Sequence, residues 1–346
     1  MRSSFYLAYR IVLAAVELMG VTVITFVLSR LSGNPLTLYI STDTPTSLYP
    51  IIEKQYHLND PLYIQYFYYL SGLLHGDMGI SKATGLPVTQ SIGIFLPWTL
   101  EIVIAAIILF LAIGVPLGMI AGLRQGGKID AIVRGLSSFG VAFPALIFGL
   151  ILIFLFFFYP TINHFPALPS SGGISPDVAA ACPLHTITGL PLLDSLLTGN
   201  FCYFSDNLAH LIMPAVTLAL YPTGYVMKTV RARTISVLSE DYIFYLRSAG
   251  VSERRIVFTH LLKSNTVFLL TIVGLIGSTL LGATVVIETI FTWPGLGAWA
   301  VKSIITLDVS GVLGFTLVVG SAFIVSNLLV DIGYALIDPR IEFGAR

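Results

Sequence analysis

Charge is what this 346-residue chain has least of: Asp, Glu, Lys and Arg make up 10% of it, against 55% hydrophobic residues. Water-soluble domains carry roughly 25% charged residues, so a soluble globule is excluded. The 18 acidic and 18 basic residues cancel to zero net charge, which argues against a nucleic-acid partner. Catalytic signatures are missing too. No G-x-x-x-x-G-K-[ST] is present, since Gly126–Gly127–Lys128 lacks the rest of a phosphate-cradling loop. There is no H-E-x-x-H, and the six histidines (57, 75, 164, 185, 210 and 260) are scattered without metal-ligand spacing. No G-x-S-x-G offers a nucleophile elbow. The chain itself is expected to be no enzyme and to hold no cofactor or metal. It also lacks a short apolar stretch with a small-residue cleavage site, so its first apolar segment reads as a retained anchor.

What the chain does have is long, continuous apolar runs without the alternation of barrel strands, so the expected class is all-α and polytopic. With roughly 20 apolar residues needed per crossing, about six spans are expected, near 9–31, 96–121, 133–159, 208–228, 265–289 and 310–336. Fourteen of the 18 Lys and Arg residues, from Arg2 and Arg10 to Arg340 and Arg346, fall on one set of connections. Only Arg30, Lys54, Lys82 and Lys302 fall on the other. Cationic loops stay inside, so both termini and the 229–263 connection are expected in the cytoplasm. The organisation expected is an N-terminus and first span over 1–31, an extracytoplasmic segment over 32–95, and a core of spans over 96–346. That core includes an outer loop at 160–207 and the cytoplasmic region 229–263. The run YIQYFYYLSGLLHGDMG in the first outer segment is amphipathic and is expected on the membrane surface or packed over the spans. The outer loop holds the chain's two cysteines, Cys182 and Cys202, on the oxidising face, where a disulfide is expected.

Within the spans, Pro97 and Pro116 are expected to flank the second, and Pro222 to bend the fourth by freeing the carbonyl of Leu218. Gly114, Gly118 and Gly122 set small residues on one face of the second span, which favours close helix packing. Four carboxylates lie in or at the edge of spans: Glu17, Glu101, Glu288 and Asp331. Intramembrane charge is costly and marks functional positions, so Glu101, Pro222 and Glu288 are the translocation-path candidates. A structural role for the two glutamates at the outer rim is the competing reading.

The most distinctive stretch is SEDYIFYLRSAGVSERRIVFTHLLK, a charged island between apolar segments. Ser239 is expected to cap a helix opening with Glu240 and Asp241, with Arg247 in its last turn and Gly250 at its left-handed end. Ser252 is expected to cap a second short helix carrying Glu253, Arg254 and Arg255. A merely solvated loop has little use for Tyr242, Ile243, Tyr245, Leu246, Ile256 and Phe258. The mixture points to a docking surface for another protein.

These blocks together resemble a known family. VTVITFVLSRLSGNP, HLNDPLYIQYFYYLSGLLHGDMGIS, LPWTLEIVIAAIILFLAIGVPLGMIAGL, MPAVTLAL, the island, VVIETIFTWPGLG and NLLVDIGYALIDPRI occur in the order expected of an ABC importer permease. The resemblance is to the first permease subunit of the oligopeptide, dipeptide and nickel branch, and it covers nearly the whole chain. It implies a type I importer permease fold and a coupling helix in the island. Gly250 matches the glycine of the family's cytoplasmic signature, whereas Phe244, Tyr245 and Leu246 replace its Glu-Ala-Ala. The longer outer loop 160–207 also departs from the family.

The resemblance further implies a second homologous permease, two ABC ATPases that bind ATP and Mg, an extracytoplasmic solute-binding protein, and transport by alternating access. Peptides are the implied solute class, with oligosaccharide or nickel left open. The rival is an ion-coupled secondary carrier, which needs inverted repeats or a chain of buried charges; neither is evident.

Overall fold

The computed structural model describes residues 2–31, 33–40 and 44–337, without the side chains of 2–8, 263–267, 278 and 334–337. Arg340 and Arg346, and with them the C-terminal end, lie outside the described residues, as do the side chains of Arg2 and Lys263. Among the described residues the structure is helical, with a single isolated β-bridge between Ile80 and Pro87.

The helices that matter below are α1 (Arg2–Leu31), α2 (Leu62–Leu74), α3 (Val88–Leu123), α4 (Lys128–Ala142), α5 (Ala145–Ile153), α6 (Pro191–Leu197), α7 (Phe201–Leu238), α8 (Asp241–Ser248), α9 (Glu253–Arg255), α10 (Leu262–Ile290), α11 (Leu296–Ile305) and α12 (Val309–Ile337). Among the described residues, four stretches are long and apolar enough to cross a membrane: Tyr9–Leu31, Val88–Leu123, Ala145–Ile162 and Val309–Gly333. A fifth, Phe268–Gly277 with Thr279–Ile290, bends by 48°. The fourth expected span, 208–228, lies in α7, which is 38 residues long and holds the centre of the bundle against α3 and α4. Its interior position relaxes the demand for an apolar surface on every side.

Helix packing in lipid cannot draw on the hydrophobic effect, so it depends on close approach of backbones. The glycine stripe of α3 supplies it. A Cβ on Gly114 would lie 2.9 Å from Val226 Cγ1, one on Gly118 2.8 Å from the Met227 carbonyl oxygen, and one on Gly122 2.7 Å from Thr234 Cβ. All three neighbours are on α7, so the stripe is the α3–α7 seam.

Several boundaries differ from expectation. Pro97 and Pro116 lie inside α3, which starts at Val88, so the expected 95/96 division falls within a helix. The third span is broken where Phe143 adopts extended backbone (φ −81°, ψ 128°) before Pro144. A residue preceding proline is driven out of the helical region, which accounts for the break. Pro222 is buried in the continuous helix α7.

The aromatic segment takes the packed alternative: α2 lies against the C-terminal part of α1. Tyr66 and Tyr69 hydroxyls sit 3.0 Å from those of Thr22 and Thr25, and Arg30 Nε donates to Gln65 Oε1 at 2.9 Å. Asp308 ties the loop before α3 to α12. It accepts from the Ser81 hydroxyl (2.5 Å) and the Ala83 N–H (3.1 Å), and it caps α12 through the Gly311 N–H (2.9 Å).

Candidate functional site

The charged island folds into an elbow. Helix α7 ends at Leu238, and Ser239 is its C-cap residue, not the N-cap of the next helix; Glu240 takes that position, without a side-chain capping bond. The reason is that α7 runs without a break to Leu238, leaving two residues for the turn. Helix α8 then ends as expected. Gly250 has φ +76°, the Val251 N–H donates to the Leu246 carbonyl at 3.0 Å, and the Gly250 N–H donates to the Arg247 carbonyl at 3.0 Å. These are the two bonds of a Schellman ending.

Ser252 stands at the N-cap of α9 in extended backbone but makes no side-chain capping bond. The second helix is not short and separate. α9 continues through a π-helical stretch, Ile256–Leu261, directly into α10. The elbow is therefore mounted between the 38-residue helix α7 and the bent helix α10.

Two contacts stiffen it. Ile243 and Ile256 are fully buried beneath it. Arg247 Nε and Nη2 reach Glu253 Oε1 (2.7 Å) and Oε2 (3.3 Å), a bidentate pair that spans the glycine turn. The hydrogen bond from Arg247 and its charge hold the Glu253 carboxyl below the usual carboxylate range. Because both groups are exposed, the pair orients the turn more than it stabilises the fold. The outer face shows Phe244 (60% exposed), Tyr245 (73%) and Phe258 (71%), among the charges of Glu240, Asp241, Arg254 and Arg255. All eight polar and glycine positions expected at the docking surface thus fall on one elbow.

Asp130 was not singled out in the sequence. It is buried at the start of α4, bonded to Arg231 on α7 through Nε and through Nη2 (2.9 Å), and it accepts the Gly126 N–H at 2.9 Å. Hydrogen bonding from Arg231 and Gly126, with the Arg231 charge, holds its carboxyl far below the usual range. It anchors the end of α7 that carries the elbow. A signal was available: Asp130 is a lone acid among Arg124, Lys128 and Arg134.

At the opposite end, the two rim glutamates do not pair with each other; each binds the start of a helix. Glu288 is fully buried. Its Oε1 accepts from the Thr99 hydroxyl (2.7 Å), and its Oε2 accepts from the Gly297 and Ala298 N–H groups (2.6 and 3.0 Å). It therefore caps α11 and joins it to α3 and α10. Glu101 Oε1 accepts the Leu192 N–H of α6 at 2.6 Å, while among the described residues its Oε2 and the buried Oδ1 of Asn207 meet no donor within hydrogen-bond geometry. Both glutamates sit in the packing of the chain.

The outer loop rests on this rim. Cys182 and Cys202 are joined, with Cα atoms 6.3 Å apart. Asp194 gathers the loop by accepting from the Ile187, Thr188 and Gly189 N–H groups and the Thr188 hydroxyl at 2.6–3.1 Å. Burial pushes the Asp194 carboxyl up, but these four bonds outweigh it and leave it below its ordinary value.

Residues 114–343 match the family model described as binding-protein-dependent transport system inner membrane component. The chain belongs to this family. The permease is 40% identical over 326 residues to the probable D,D-dipeptide transport system permease protein DdpB of Escherichia coli (strain K12), covering 94% of each chain. It is 32% identical over 343 residues to the dipeptide transport system permease protein DppB of the same organism, covering 97% of this chain and 98% of that one. With the oligopeptide transport system permease protein AppB of Bacillus subtilis (strain 168) it shares 33% identity over 340 residues, 98% and 99% of the two chains. It is a multi-pass inner-membrane permease subunit of a binding-protein-dependent ABC importer, in which ATP hydrolysis resides in separate subunits.

Proposed function

We propose that this permease forms half of a peptide translocation path and that its elbow, α8 through α9, is the coupling element seated in an ABC ATPase. The observation that carries the reading is the elbow itself. It is an aromatic and charged surface exposed at the tip, fixed by a glycine turn and an ion pair, two residues from the end of α7 and continuous with α10. Force applied there is passed to α7 and α10 and so into the bundle. ATP and Mg are bound by two ATPase subunits, a second homologous permease completes the path, and an extracytoplasmic solute-binding protein loads the opposite face. The elbow, Asp130 and the basic connections then lie in the cytoplasm with both termini, as the distribution of Lys and Arg supports. The two conformations of the path are biased by ATP on one side and by the loaded receptor on the other. A di- or oligopeptide solute is supported by the similarity to dipeptide and oligopeptide permeases.

The test is purification of the tagged permease from its native cell in a mild detergent, with mass spectrometry of what accompanies it. A second permease and one or two ATPases are expected, and the receptor recovered with them is then screened against dipeptides. Recovery of the permease alone, in a detergent shown to preserve such complexes, refutes the assignment of the elbow as the ATPase-coupling element.

A further inference from the structure

Glu17 and Asp331 belong to neither the elbow nor the rim. Asp331 on α12 pairs with Arg10 on α1 at 3.1 Å. Beside that pair a groove of about 280 Å³ opens between α1, α10 and α12. Its polar lining continues inward with Glu17 and Asn327, and Leu13, Leu275 and Leu328 are among its apolar walls. Neither the Glu17 carboxylate nor the Asn327 amide makes a hydrogen bond or ion pair with any described residue. Seven residues separate Glu17 from Arg10, about 10 Å along the helix, and a helical side chain leans toward the N-terminus, so Glu17 tilts back toward the pair.

An unpartnered carboxylate at this depth is costly and calls for a cation. Arg10 and Asp331 meet in an ion pair, and Glu17 adds a negative charge that no described residue meets. The groove also has a cationic corner at Arg10, an amide acceptor at Asn327 Oδ1 and a hydrocarbon-like wall. One class of molecule carries a hydrogen-bonding ammonium, an anion a few ångströms away and apolar chains. We propose that this groove binds a zwitterionic aminophospholipid of the ethanolamine type. Its ammonium lies between Glu17 and Asn327, its phosphate lies beside Arg10, and its acyl chains run along the apolar walls. A choline headgroup has no N–H to give Glu17 or Asn327, and a glycerol headgroup brings only negative charge toward Glu17. The site therefore selects ethanolamine over choline, and choline over glycerol.

The experiment is native mass spectrometry of the intact complex containing this permease, after equilibration with equimolar phosphatidylethanolamine, phosphatidylcholine and phosphatidylglycerol. Preferential retention of phosphatidylethanolamine is expected. Glu17→Gln and Asn327→Leu should each reduce that retention, by about tenfold where a charged hydrogen bond is lost. Equal retention of the three lipids, or preference for phosphatidylglycerol, overturns the proposal on the unmodified protein, whatever the fate of the variants. Unchanged phosphatidylethanolamine retention in both variants also overturns it. So does a cross-link from Ala14→Cys to another polypeptide of the complex, because protein then fills the groove.

Discussion

Substitutions at Gly250 separate backbone conformation from bulk. The residue sits at φ +76°, and an added Cβ would meet nothing within 4 Å, so any penalty comes from the torsion and not from a clash. Asn tolerates the left-handed region, and Gly250→Asn is expected to be close to wild type. Gly250→Ala costs about 1–2 kcal/mol, enough to populate a rearranged elbow and lower uptake several-fold. Gly250→Pro fixes φ near −65° and removes the N–H that reaches the Arg247 carbonyl, a loss of about 3 kcal/mol or more. In that variant the Schellman ending cannot form, α8 loses its angle to α9, and transport is abolished although the permease is still inserted. Two readouts follow each variant: initial uptake of a labelled dipeptide, and recovery of ATPase subunits on the tagged permease. The second does not depend on the identity of the solute. Normal uptake by Gly250→Pro, or an Ala variant as damaged as the Pro variant while Asn is too, refutes the conformational reasoning.

Three further outcomes are expected. Glu288→Ala strands the Thr99 hydroxyl and two N–H groups of α11 in a buried site, at about 1–3 kcal/mol for each unsatisfied group; thermal unfolding in detergent should show a large loss. Glu101→Gln, by contrast, keeps an acceptor for Leu192 and offers an N–H toward Asn207 Oδ1, so its midpoint should be unchanged or raised, and a loss matching that of Glu288→Ala contradicts the assignment of the orphaned acceptors. Asp194 has a depressed carboxyl, so its stabilisation of the outer loop is fully present above the ordinary Asp value of about 3.9 and is lost only as pH falls through the lower folded value; hydrogen-exchange protection over residues 187–200 should hold from pH 8 to pH 5, and loosening at pH 5 argues against the four-bond clamp.

The elbow was legible in the sequence because its instructions are local. A glycine that must turn left-handed, acids at a helix start and arginine near a helix end lie within a dozen positions of one another. The error at Ser239 arose from a local signal too, since a serine before two acids reads as a cap whether or not the preceding helix has ended. Only the length of α7, a property of its packing against α3 and α4, decides that it ends at Leu238. Asp130 was overlooked for the complementary reason: its partner Arg231 is 101 positions away.

By itself the sequence determined the class, the approximate spans and the uneven distribution of cations. It also determined the glycine turn and, with only two cysteines, the one intrachain pairing available. These follow from composition, periodicity and backbone preference, which neighbouring residues express without reference to the rest of the chain. Tertiary structure decided what the intramembrane carboxylates do. Glu288 became the cap of α11, Glu101 the acceptor for α6, Asp331 the partner of Arg10, and Glu17 was left facing a groove. In a span, each carboxylate reads alike as a costly charge. Its role is set by which helix ends and side chains packing brings within hydrogen-bond reach, and those come from segments far away in the chain.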